Sequence, residues 1–364
     1  MNADLASCRA RQQRLLAEMR RRDIDLVVLT RTEHVQWLTG PRFAWVFEPA
    51  AALSADGHCV LVAPTPGPVA AADVVLTYQA KWLSTLRNDQ RQASSIELLK
   101  YLIGRPKTRR IGVEFSSCGP HLTAELKGEL FDIEPELYRL RRSKDPDELA
   151  LVRRAVAATG AMYERARRII EPGINELDVF NQLQAAAVEE LGEMLTATGN
   201  DYACAARGGP PRDRRCQAGE LYILDLGPAY RGYFADNCRT LAVGGRPTEA
   251  QQAAWEQIAS VFELVRATVK PGLSCRDFYN QVNQQLNKYM PGGFDHHLGH
   301  GIGLFPHEAP HLNPNWDDTF QEGEVFAIEP GLYAPELRVG IRLENDYLVT
   351  SDGVELLSDF PLVL

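Results

Sequence analysis

Apolar and polar positions along this chain change period several times, and each change marks an element. From about residue 5 to 22 apolar residues recur at helical spacing, with Leu15, Leu16 and Met19 on one side of an Arg-rich segment. That pattern predicts an amphipathic helix. DLVVL at 25–29 contains an uninterrupted apolar run and reads as a buried strand. Between 51 and 63 two apolar runs flank Asp56 and Gly57, the signature of a hairpin closed by a type I′ turn. Strand-like IGVEF at 111–115 then lies between two helical patterns. The alternation predicts a small α/β domain of roughly 140 residues.

The pattern breaks at RRSKDPDE, 141–148. Asp145 suits an N-cap, Pro146 the first helical turn, and Glu148 completes a capping box. We therefore divide the chain into 1–142 and 143–364. The second part says one thing twice. PGINELDVFNQ at 172–182 returns as PGLSCRDFYNQ at 271–281, and GELYILDLG at 219–227 returns as GEVFAIEPG at 323–331. Asn175 with Asp178, and Ser274 with Asp277, open equivalent helices as cap-and-acid pairs. One unit of helices over antiparallel hairpins is duplicated, so the halves should pack about a pseudo-twofold axis. The fold class is α+β.

Each copy ends its apolar strand on an acid, Asp225 or Glu329. Burying an acid there is costly unless something positive neutralises it. After Asp225, PAYRG at 228–232 turns the chain and Asp236 begins the return. A symmetric hairpin closing near Tyr230 puts Asp225 and Asp236 opposite each other, with Cβ atoms about 5 Å apart. Two such carboxylates do not both stay ionised without a cation. The second copy supplies Glu329 and, within GIRLEN at 340–345, Glu344. A fifth polar group comes from HHLGHGIGLFPH at 296–307; five of the eight histidines lie between 296 and 311. Each residue also has a plainer reading: Asp236 paired with Arg231 or Arg239, Glu344 solvated beside Asn345, Arg342 paired with a surface acid. His297 and His311 read as structural. The glycines from 299 to 303 match no phosphate loop, since no Gly-Lys-Ser or Gly-Lys-Thr follows.

Four carboxylates and one neutral imidazole nearly balance two divalent cations. Oxygen-rich ligation without thiolate suits Mn²⁺, Co²⁺ or Zn²⁺. The seven cysteines are odd in number and scattered, without zinc-ribbon or thioredoxin spacing, as expected for reduced thiols in a cytoplasmic protein. The net charge of −9 disfavours nucleic acid as a partner. No apolar run is long enough to span a bilayer, and the N-terminus shows no secretion signal.

Asp-x10-Asp, GHGIG, EPG and RLEN, in this order, resemble the pita-bread metallopeptidases, a family that includes prolidase, aminopeptidase P and methionine aminopeptidase. The first 140 or so residues resemble the creatinase-type N-terminal domain of its proline-directed members. The resemblance implies metal ligation by Asp225, Asp236, His300, Glu329 and Glu344, with Asp236 and Glu344 each shared by two ions. It implies that Glu329 also moves a proton, that His307 hydrogen-bonds the substrate and that His296 lines the pocket. Arg342 would brace the site and Tyr333 would face the substrate. The expected activity is hydrolysis of Xaa-Pro bonds in short proline-containing peptides, leaning to a dipeptidase (prolidase), by a homodimer with two metal ions per chain, Mn²⁺ foremost. Alternatives are an aminopeptidase P acting on longer peptides, an amide hydrolase such as creatinase, and a non-catalytic binding relative. One departure stands out. Proline-directed relatives carry a histidine some seventeen residues before the first aspartate; here that position is Gly208, beside Arg207. We expect the metals, Glu329 and His307 to carry the chemistry with altered specificity or a reduced rate, while Arg207 could donate hydrogen bonds to substrate from nearby.

Overall fold

The computed structural model describes residues 4–43, 47–79, 92–103 and 108–364. The chain divides into two compact units, 1–141 and 142–364.

The first unit is built on one six-stranded mixed sheet. Its elements are α1 (Leu5–Arg21), β1 (Leu26–Leu29), α2 (Thr32–Thr39), β2 (Ala50–Ser54), β3 (Cys59–Pro64), β4 (Val74–Tyr78), α3 (Ala93–Ile103), β5 (Arg110–Val113), α4 (Pro120–Thr123), β6 (Glu129–Asp132) and α5 (Glu134–Arg141). The strand order is β4-β3-β2-β1-β5-β6. Leu15, Leu16 and Met19 of α1 are buried, and every residue of β1 is buried. An unbroken apolar run is what a central strand needs when both faces of its sheet are covered. The β2–β3 turn corrects one expectation. Gly57 has φ +90 but Asp56 does not have positive φ, and the Gly57 N–H donates to Ser54 O at 2.8 Å. This is a three-residue loop ending on a left-handed glycine, not a type I′ turn.

The second unit contains α6 (Pro146–Ile169), α7 (Glu176–Leu191), β7 (Asn200–Asp201), β8 (Leu221–Leu226), β9 (Ala229–Tyr230), β10 (Tyr233–Phe234), β11 (Asn237–Ala242), α8 (Glu249–Thr268) and α9 (Cys275–Tyr289). It continues with β12 (Gly299–Gly301), β13 (Glu308–Leu312), β14 (Val325–Ile328), β15 (Gly331–Leu332), β16 (Ile341–Arg342), β17 (Asn345–Val349) and β18 (Val354–Leu356). The caps form as the sequence predicts. The Asp145 N–H donates to Glu148 at 3.0 Å, Asn175 accepts from the Leu177 N–H at 2.9 Å, and Ser274 accepts from the Asp277 N–H at 3.1 Å.

Each repeat pairs one long strand with a returning one: β8 with β11 in the first, β14 with β17 in the second. Short ribbons β9/β10 and β15/β16 extend the two hairpins. Around them the sheets run β11-β8-β7 and β13-β12-β14-β17-β18. Apolar residues of α8, α9, β14 and β17 form a continuous core in the second repeat, among them Phe262, Phe278, Phe326 and Tyr347.

The register corrects a second expectation. Arg231 (φ +48) and Gly232 (φ +91) occupy the two left-handed positions of a type I′ turn between paired Tyr230 and Tyr233. The hairpin therefore closes beyond Tyr230, and Asp225 lies opposite Cys238 rather than Asp236. Asp236 is its diagonal neighbour, two residues away on the same face. In the second hairpin Ile328 pairs with Asn345 and Gly331 with Arg342. That single register sets Glu329 directly across from Glu344.

Candidate metal centre

The strand ends deliver five side chains to one place. Asp225, Asp236, His300, Glu329 and Glu344 are between 1% and 9% exposed. Asp225, Asp236 and Glu344 bring an oxygen each within 4.8 Å of one another, and His300, Glu329 and Glu344 bring their ligand atoms equally close. Asp236 also groups with His300 and His307. Asp236, His300 and Glu344 thus each belong to two clusters.

The Gly-His-Gly motif has a steric cause. β12 lies between β13 and β14. A Cβ on Gly299 would sit 2.0 Å from Ala327 O, and one on Gly301 would sit 2.1 Å from Ala309 O. Glycine on both sides lets the flanking strands close on His300. Its Nδ1 lies 3.0 Å from Gly301 O, so Nδ1–H donates there and the Nε2 lone pair faces inward. That Nε2 is 3.7 Å from oxygens of both Asp236 and Glu329.

Burial and crowding govern the protons. Burial, then the neighbouring Asp225, pushes the Asp236 carboxyl well above its usual range. Burial, then Asp236, does the same to Glu344. Glu329 is pushed up to about 8 by burial and then by Asp225. Burial holds His300 well below its usual value, with His307 adding to the shift, and brings His296 down to about 4. Neutral imidazoles keep their lone pairs for ligation.

Arg342 braces the cluster from one side. It donates to Asp225 Oδ2 from Nε at 3.1 Å and from Nη2 at 2.8 Å, and to Asp201. Its Nη1 reaches Tyr333 Oη at 3.2 Å and Arg207 O at 3.0 Å. Tyr333 Oη is 3.1 Å from His296 Nε2, while His296 Nδ1 lies 2.7 Å from His297 O. His307 stacks on His300 with ring centroids 3.7 Å apart. These groups line a cavity of about 330 Å³.

Two lining residues escaped the sequence reading. His297, read as structural, stands with Nε2 3.3 Å from Glu329 Oε1; its place in the histidine cluster was the available signal. Asp201 pairs with Asp225 across β7 and β8, and a two-residue strand leaves no periodic signature. Asp201 also explains Gly208. A Cβ there would sit 2.4 Å from Asp201 Oδ2, so the carboxylate occupies the space a side chain would need. Of the plainer partners considered for Asp236, Arg231 binds Glu193, and Arg239 binds main-chain carbonyls and Asn345. His311 pairs with Asp318 at 2.9 Å, away from the cluster.

The donor set fits divalent metal. Four carboxylates meet with one guanidinium beside them, and the buried Oε2 of Glu344 has no hydrogen-bond partner among the described residues. Uncompensated charge of this kind calls for a cation.

Residues 150–351 match metallopeptidase family M24. The chain belongs to that family. Residues 11–143 match the creatinase/prolidase N-terminal domain. This M24 protein is a peptide hydrolase of the divalent-metal-dependent kind, with a creatinase-type domain preceding a pita-bread domain. An uncharacterized peptidase of Staphylococcus epidermidis is 30% identical over 254 residues, covering 66% of this chain and 72% of that protein. Among solved structures, the Xaa-Pro dipeptidase of Bacillus anthracis superposes with a TM-score of 0.82 at 22% identity, covering 98% of this chain and 99% of that one. The prolidase of Pyrococcus horikoshii gives 0.79 at 21%, covering 97% and 99%. The X-Pro aminopeptidase of Thermotoga maritima gives 0.79 at 20%, covering 97% and 98%. At these identities the likeness speaks for the fold of this M24 peptidase and not for its substrate. Among the described residues no helix is long and apolar enough to cross a membrane.

Proposed function

We propose that this peptidase hydrolyses Xaa-Pro dipeptides with two divalent cations, Mn²⁺ foremost and Co²⁺ or Zn²⁺ as alternatives. The ligands are Asp225, Asp236, His300, Glu329 and Glu344. One observation carries the reading: three overlapping groups of ligand atoms bring the five residues together, and Asp236 and Glu344 are the carboxylates that lie in two of them, as carboxylates shared by adjacent ions would. Bound cations supply Lewis acidity at the scissile carbonyl and acidify water near neutral pH.

The chain's own groups do the rest. Glu329 accepts the proton released as water attacks and delivers it to the leaving imino nitrogen. His307, the exposed imidazole of the cluster, donates to the substrate carbonyl oxygen. His296 holds Tyr333 in line with Arg342, and Arg342 fixes the Asp225 carboxylate. The dipeptide preference extends the lean of the sequence reading, and the substrate comparison below decides it.

The test has two arms. Metal-stripped protein titrated with Mn²⁺ or Co²⁺ should regain activity at two equivalents, and Xaa-Pro dipeptides should be cleaved faster than Xaa-Pro-Xaa tripeptides. Full activity under chelator removes the metal mechanism. Faster tripeptide cleavage makes the protein an aminopeptidase P.

A further inference from the structure

Arg207 lines the cavity and belongs to an ion pair that the chemistry above does not use. Arg207 stacks its guanidinium over the Tyr333 ring, 3.8 Å from the centroid. Its Nη1 and Nη2 reach the two oxygens of Asp295 at 3.0 and 2.5 Å. Both side chains are about half exposed, 48% and 49%. Ion pairs this open are weak, because water competes for both partners.

The loop carrying Arg207 is firmly seated. Tyr202 N–H donates to Gly209 O at 2.8 Å and Ala205 N–H to Leu221 O at 2.9 Å. The Gly209 N–H donates to Asp201 at 2.6 Å. Gly208 carries no side chain to crowd this edge, and Arg342 ties Arg207 O directly to the Asp225 brace. One guanidinium therefore separates the Arg207 backbone from a metal-ligand candidate.

We infer that Arg207 is the specificity residue that reads the free C-terminal carboxylate of a dipeptide, and that Asp295 occupies its fork until substrate displaces it. The proposal rests on the dipeptidase reading. Arginine presents paired donors that match a carboxylate bidentately, and here they already hold one, supplied by the chain itself. Tyr333 keeps the guanidinium plane fixed, so little freedom is lost when one carboxylate replaces another. In a dipeptide the terminal carboxylate lies within one residue of the scissile carbonyl, and consecutive Cα atoms are only about 3.8 Å apart. A reader must therefore share the cavity of the metal-ligand candidates, which Arg207 lines. A longer peptide places an amide where the fork wants a charge.

The test compares free-acid dipeptides with the matching dipeptide amides, using Ala-Pro and Ala-Ala on metal-loaded protein. Wild type should prefer acid over amide in kcat/KM by roughly two- to fivefold, the range of a half-exposed ion pair. Arg207→Met keeps the stem and removes the fork, and the ratio should collapse towards one through KM of the acid. Asp295→Asn removes the internal competitor, and the ratio should widen. Equal loss on acid and amide in Arg207→Met would overturn the inference, because a merely structural role lowers both. A narrowed ratio in Asp295→Asn overturns the exchange. Acid preference on Ala-Ala without Ala-Pro cleavage would sink the proline reading and leave Arg207 in its role. Cleavage of longer peptides alone, or of no peptide, removes the role as well.

Discussion

Glu329 is the side chain to which we assign two tasks. It ends β14's apolar run, so burial is imposed by the strand, and Asp225 crowds it from the other repeat. Replacing Glu329 by Gln keeps the shape and removes both the ligand charge and the proton acceptor. Turnover should fall by roughly 10²–10⁴-fold, the usual worth of a positioned proton carrier; steady-state kinetics within tenfold of wild type would make Glu329 structural only. The acids at strand ends were legible because an ionisable group finishing an apolar run conflicts with its surroundings, twice, at matching places. Asp201 was not legible. It sits in a two-residue strand, and only the pairing with Asp225 reveals that both carboxylates share one face and one arginine. His297 reads as structural in the sequence, and folding brings Glu329, some thirty residues on, to its Nε2.

At the scale of elements the duplication was plain in repeated strings, while the register inside each hairpin was not. A turn one position later re-pairs a whole ladder, and here it moved Asp225 from facing Asp236 to facing Cys238. The two hairpins are joined by Arg239, which is fully buried. It donates to Cys238 O at 2.8 Å and Glu344 O at 2.5 Å, and to Asn345 Oδ1 at 2.9 Å. It also holds the chain's last segment through Pro361 O at 3.2 Å and Phe360 O at 3.3 Å. Phe360 packs where Gly160 leaves room: a Cβ there would lie 2.7 Å from its ring. One residue thus ties both returning strands and the tail behind the proposed ligands. Arg239→Met should cost at least about 3 kcal/mol, since several buried carbonyls lose their donor. The check is a lower denaturant midpoint with the m-value unchanged; an unshifted midpoint would show that water or relaxation satisfies those carbonyls.

For the molecule as a whole, the cluster ties stability to pH in a direction opposite to ordinary acid denaturation. Asp236, Glu329 and Glu344 all have pKa values raised by burial and by one another. A group raised above its unfolded value near 4.5 contributes stability that is complete below that value and lost as pH rises through the folded value, about 8 for Glu329. The site histidines act the other way. Their folded values are depressed, so stability from them grows as pH rises through about 6.5 and is complete by about 7 to 7.5. Between pH 7 and 8 the carboxyls therefore dominate. In protein stripped of metal, each carboxyl that keeps a proton only when folded lowers stability by up to about 1.4 kcal/mol per pH unit. Metal reverses the slope, because ligation requires the same oxygens deprotonated and competes with protons. Calorimetry at pH 7 and pH 8 should show the stripped protein melting lower at pH 8 and the gap to the Mn²⁺-loaded protein widening. Stripped Glu329→Gln, lacking one of these carboxyls, should show a shallower fall. A stripped wild-type protein that melts higher at pH 8, or a metal-induced gap that stays constant, would mean the buried acids do not share their protons as the geometry requires.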